Sequence, residues 1–84
     1  MNVNVFYSRT VKGRLKLVQF KGEFISRIRW YGFYIELYVM DGDYVEVFYN
    51  RYTNKLEDVE ILEPGNPRLG LFAVAVNLSD LFTK

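Results

Sequence analysis

Three observations predict an α+β domain that is mostly β: an antiparallel meander of about five to six strands with a short C-terminal helical segment packed on it. The first is Phe33–Tyr49, where two alternating runs of aromatic and β-branched residues meet at Asp41-Gly42-Asp43. The second is composition. Half of the 84 residues are hydrophobic and 18% are Phe, Trp or Tyr, side chains that suit a pleated, half-buried surface. The third is Glu63-Pro64-Gly65-Asn66-Pro67, the strongest break in the chain, after which the apolar spacing turns helical. No internal repeat, low-complexity tract or linker interrupts residues 1–84, which are expected to form one domain.

At the start, Val3, Val5 and Tyr7 alternate with Asn2, Asn4 and Phe6, predicting a strand that ends near Ser8. Thr10-Val11-Lys12-Gly13 then reads as a turn and Leu15–Phe20 as a second arm, with Lys21-Gly22 as another tight turn. Glu23–Tyr31 is ambiguous. Helical spacing would group Phe24, Ile25 and Ile28. Enrichment in Ile, Trp and Tyr favours a strand instead, with Phe24, Ile28 and Trp30 sharing a face with Ser26. Gly32 marks a bend or tight turn before the central hairpin.

Alternation sets an expected register for that hairpin. The odd positions Phe33, Ile35, Leu37 and Val39 are uniformly apolar, as are Val45 and Val47 on the return strand. A two-residue Asp-Gly turn would place Glu46 opposite Leu37, leaving a carboxylate among aliphatics at a cost of several kcal/mol, roughly, if unpaired. The pattern therefore predicts a three-residue loop or bulge at Asp41-Gly42-Asp43, pairing Val39 with Val45 and Leu37 with Val47. Asn54 suits the left-handed position of the next loop, which pairs Val47 with Val59 and Val45 with Ile61. On these registers one face is aliphatic, and the other carries Tyr34, Tyr38, Tyr44 and Phe48 interleaved with acids.

Beyond the break, Asn66-Pro67 fits a helix N-cap and first position, and Leu69, Phe72, Ala73 and Val76 form one stripe. Gly70 and the β-branched Val74 and Val76 count against the helix. Asn77–Phe82 reads as a further capped turn. This tail is apolar all round and is expected to dock on the sheet.

Charge is distributed unevenly. Residues 1–35 hold seven bases against Glu23 alone, whereas residues 36–84 hold four bases against nine acids. This split fits either a basic face for an anionic partner or two halves that complement one another. The absence of histidine and cysteine excludes His-based triads, Cys nucleophiles and the usual zinc ligand sets. Phosphate-binding glycine loops and the nucleophile elbow are missing too, so carboxylates are the remaining candidate catalysts. Asp41-Gly42-Asp43 lacks the continuing spacing of a calcium loop and reads as a polar hairpin tip. Glu57-Asp58-Val59-Glu60 with Glu63 reads as solvated positions, and Glu36 with Glu46 as a distant analogue of a glycosidase pair without a cleft. Asn77-Leu78-Ser79 matches the glycosylation sequon but reads as a helix cap. No metal or cofactor is expected.

The hairpin Gly32–Tyr49, G-F-x-I-x-L-Y-x-M-D-G-x-Y-V-E-V-F-Y, resembles a group of short uncharacterised bacterial proteins typical of Bacteroidetes. The tail Val76-Asn77-Leu78-Ser79-Asp80-Leu81 is similar to theirs as well. The likeness leaves out the first twenty residues and implies a bacterial context, with no activity, ligand or catalytic residue attached.

The expected function is therefore that of a small non-enzymatic module. It would bind a protein or a second copy of itself through the face of Tyr34, Tyr38, Tyr44 and Phe48. The alternative is single-stranded nucleic acid held by the basic half, with Arg27, Arg29 and Tyr31 as anion-binding residues and Trp30 pointing the other way. A carboxylate enzyme is the remaining alternative. With neither a signal-peptide core nor an apolar run near the ~20 residues of a membrane span, the expected location is cytoplasmic.

Overall fold

The computed structural model describes the backbone of residues 1–82 and the side chains of residues 1–75. Two helices, α1 (Val3–Ser8) and α2 (Val11–Lys21), precede four strands, β1 (Glu23–Trp30), β2 (Phe33–Met40), β3 (Asp43–Asn50) and β4 (Leu56–Leu62). A last helix, α3 (Arg68–Phe82), follows. The strands form one antiparallel sheet in the order β1-β2-β3-β4. It is thus an α+β fold with a four-stranded meander, short of the five to six strands expected.

The difference lies at the N-terminus, where both expected strands are helices. Asn2 caps α1, its side chain accepting from the Val5 N–H at 3.2 Å, and Thr10 caps α2 by accepting from Gly13 at 3.0 Å. Val11, Leu15 and Val18 then fall on one helical stripe and pack on the sheet with Phe6 of α1. Val3 and Val5, whose alternation suggests a strand, are exposed. α2 ends against the sheet at Gly22, where a Cβ would stand 2.6 Å from the Val18 carbonyl oxygen.

The central hairpin also departs from its expected register. Asp41 and Gly42 take φ of +52° and +80°, as a two-residue type I′ turn requires, and Val39 pairs with Tyr44, Leu37 with Glu46 and Ile35 with Phe48. Paired residues share a face, so the odd positions of β2 lie with the even positions of β3. Both faces of the sheet become core. On one, α1 and α2 cover Met40, Val45, Val47 and Val59; on the other, α3 covers Ile35, Leu37 and Leu62 with Phe72.

Glu46 is consequently 1% exposed, between Leu37 on β2 and Glu60 on β4. Arg68, the first residue of α3, satisfies it with two 2.9 Å hydrogen bonds, Nε to Oε2 and Nη2 to Oε1. The Arg68 guanidinium lies over the rings of Trp30 and Phe48, 5.8 and 5.9 Å from their centroids.

Other expectations hold. Glu23–Trp30 is a strand, although an extra residue at Ile25 moves Phe24 to the side of Tyr38, away from Ser26, Ile28 and Trp30. Val47 pairs with Val59 and Val45 with Ile61, and Asn54 takes φ of +62°. Asn66 accepts from the Arg68 N–H at 2.9 Å at the start of α3. That helix runs unbroken to Phe82, with no separate turn at Asn77. The side chains of Val76 and of the Asn77 sequon lie outside the described residues. No helix among the described residues is long and apolar enough to cross a membrane.

Candidate binding site on the uncovered half of the sheet

The reach of α2 decides which part of its sheet face stays open. Eleven residues give a helix of about 16 Å, whereas eight-residue strands extend about 26 Å. α2 spans from β4, where Arg14 donates to the Val59 carbonyl at 2.9 Å, to the β2–β3 turn, where Lys21 reaches Asp41 at 3.1 Å. The strand ends beside the β1–β2 and β3–β4 turns lie beyond it. There, Arg27, Tyr34, Glu36, Tyr49 and Asn54 line an open hollow of about 250 Å³.

Sheet register assembles this hollow. Tyr34 stands between Arg29 on β1 and Tyr49 on β3, and Glu36 lies opposite Arg27. The Arg27 guanidinium packs on the Tyr34 ring, 4.7 Å from its centroid. Tyr38 donates to Glu36 at 2.9 Å. Burial, this hydrogen bond and the Glu36 charge push the Tyr38 phenol up to about 12, and burial followed by Glu36 raises Tyr49 as well. Both phenols are neutral donors at physiological pH.

At this end of the sheet, Arg51 ties two turns together. Its N–H donates to the Gly32 carbonyl at 2.9 Å and its guanidinium to the Tyr31 carbonyl at 3.1 Å. The same guanidinium sits 5.1 Å from the Tyr52 ring centroid. Tyr31 and Tyr52 are 79% and 76% exposed at this end of the molecule. Tyr31 holds φ of +53° at the turn, a conformation bulky residues rarely take, and Gly32 beside it does not use positive φ.

The structure divides the four residues expected to form one interaction face. Tyr34 and Tyr38 lie on the side of α1 and α2, and Tyr44 and Phe48 on the side of α3, because the Asp41-Gly42 turn offsets β2 against β3 by one residue. Tyr44 lines an apolar hollow of about 200 Å³ with Leu37, Leu69 and Phe72, and Phe48 packs edge-on against Phe33 at 5.7 Å. The same offset sends Glu36 and Glu46 to opposite faces, so they form no carboxylate pair. Of the anion-binding candidates, Arg27 lines the hollow and Arg29 is exposed on its face, whereas the Tyr31 ring packs edge-on against Trp30 at 4.9 Å, and Trp30 faces away under Arg68.

Charge complementation between the halves is partial. Arg14 pairs with Asp58 at 3.4 Å and Lys21 with Asp41 at 3.1 Å. Among the described residues, Arg27 and Arg29 make no such pair. Tyr49, Arg51, Tyr52 and Asn54 do not stand out as site residues in the sequence. The Tyr34–Tyr49 pair is legible once the Asp-Gly turn sets the register, but the loop residues have no periodic signal. Comparison of the chain with family models, with curated proteins and with solved structures finds no match.

Proposed function

We propose that the protein is a small non-enzymatic interaction module that holds single-stranded nucleic acid on the uncovered half of its sheet. The observation that carries this reading is Arg27 stacked on Tyr34 beside Tyr49, in an open hollow that Glu36 and Asn54 complete. Unpaired bases stack on exposed aromatic rings and on guanidinium planes, while the cations meet phosphates. Glu36, the carboxylate of the hollow, is engaged by Tyr38, and the phenols are held neutral, so the site offers binding groups rather than a free base or nucleophile. Glu36 also repels anions, which directs the phosphates towards Arg27 and Arg29 and, at the same end of the sheet, Arg51.

The test is fluorescence anisotropy of a labelled oligothymidine of about 12 nucleotides. With about three phosphates neutralised, log K falls against log salt with a slope near −2, or roughly 20-fold weaker binding between about 50 and 200 mM salt. Tyr34→Ala removes about 1–3 kcal/mol of stacking. Absent or salt-independent binding overturns the proposal. So does binding indifferent to both Tyr34→Ala and Arg27→Ala, or displacement by polyglutamate as effective as by unlabelled oligonucleotide.

A further inference from the structure

We infer, resting on the nucleic-acid reading, that Phe24 is a second stacking platform and that a bound single strand runs along β1 from Tyr34 to Phe24, its phosphates over Arg29 and Arg27. β1 carries one irregularity, the extra residue at Ile25, which changes the face that Phe24 occupies. In plain alternation Phe24 would share the α3 side with Ser26, which is 7% exposed. With the bulge, Ile25 packs on that side and Phe24 stands opposite Tyr38, on the face where Arg27 meets Glu36 and Arg29 meets Tyr34. α2 lies over β4 and β2, so this face of β1 is open and Phe24 is 56% exposed. The bulge thus re-aims an aromatic ring into line with the two exposed arginines of the same strand.

The exposed ring is also held in place. It meets the Tyr38 ring edge-on, centroids 5.6 Å apart and planes at 76°, and Tyr38 is itself fixed by its 2.9 Å hydrogen bond to Glu36. Tyr34 and Tyr38 are four residues apart on β2, so the two platforms stand about 14 Å from each other with the level of Arg27 midway.

Four-stranded sheets that bind single-stranded RNA stack two or three bases on aromatic rings. Tyr34 and Phe24 supply two such rings, joined by a cationic strip. Glu23, the acid of β1, lies opposite Val39 on the other face, so no residue of β1 on this face repels a phosphate. Glu36 on β2 keeps the phosphates to the β1 side.

Fluorescence anisotropy of the full chain with the labelled oligothymidine of about 12 nucleotides tests the inference. Phe24→Ala weakens binding about tenfold, and Phe24→Tyr stays within about threefold of wild type. Phe24→Trp binds as well as wild type and places an indole in the path of the strand, so its fluorescence is quenched as the oligothymidine binds. Wild-type Trp30, under Arg68 on the other face, is the unquenched reference. Circular dichroism of each variant confirms the fold. Binding that responds to Tyr34→Ala but is indifferent to Phe24→Ala, or that leaves the Phe24→Trp signal unchanged, overturns the second platform and leaves the first intact. No binding by the wild type overturns both.

Discussion

Replacing Arg68 by Met isolates the contact that permits the central register. Glu46 is 1% exposed and receives both of its strong hydrogen bonds, each 2.9 Å, from the Arg68 guanidinium. Met keeps apolar contact with Trp30 and Phe48 but leaves an uncompensated buried carboxylate, at a cost of about 3–5 kcal/mol. A domain of this size has about 4–13 kcal/mol of total stability, so about a quarter or more is lost. Glu46→Leu together with Arg68→Met removes both charges, and the double variant should fall within about 1 kcal/mol of wild type or exceed it. Urea denaturation followed by far-ultraviolet circular dichroism and by Trp30 fluorescence measures all three proteins, with Glu46→Leu alone completing the cycle. Trp30 is a local probe because Arg68 lies over it. If Arg68→Met costs under about 1 kcal/mol, or the double variant is as unstable as the single, the pair does not hold the hairpin in this register.

Further outcomes follow from single residues. Gly42 has φ of +80°, and a Cβ added there would meet no atom within 4 Å, so Gly42→Ala loses about 1 kcal/mol through the backbone alone, read as a lower urea midpoint at unchanged slope. Tyr31→Asn relieves an aromatic held at φ of +53° but gives up its 4.9 Å edge contact with Trp30; the two offset, and the urea midpoint should move by less than about 1 kcal/mol of stability. In the folded state the Tyr38 phenol is raised from 10.0 to about 12, so the unfolded chain ionises first. The stabilisation is complete below pH 10.0 and is lost as pH rises towards about 12. Alkaline denaturation should show this fall, and Tyr38→Phe should flatten it.

Much of the fold is legible in the sequence where the determining interactions are local. Asn54 and the alternation around it set the β3–β4 register, and Asn66-Pro67 marks the start of α3. The N-terminus misleads because the period-two spacing of Val3, Val5 and Tyr7 outweighs the caps at Asn2 and Thr10. Those caps, with Val11, Leu15 and Val18 at helical spacing, are the signal available. The central hairpin fails for a different reason. Its pattern excludes Glu46 from a core face, and the charge that admits it there stands 22 residues downstream, across the sequence break. Local pattern cannot register a partner at that distance, whereas the Asp-Gly turn states its own geometry. The one-residue offset moves Tyr44 and Phe48 away from Tyr34 and Tyr38 and brings Tyr49 alongside Tyr34. Arg27 and Arg29 are legible on one face because they depend on β1 alone, whereas Tyr31 lies in the turn beyond it with its ring against Trp30.

The most direct test of nucleic-acid binding at the uncovered half-face is a map of backbone amide chemical shifts as a short oligothymidine is titrated into the protein. Shifts are expected at Arg27, Tyr34, Tyr49 and Asn54 and in the two turns carrying Tyr31 and Tyr52, with α3 unmoved. Shifts confined to the lysines of α2, or none at all, would contradict binding at this site.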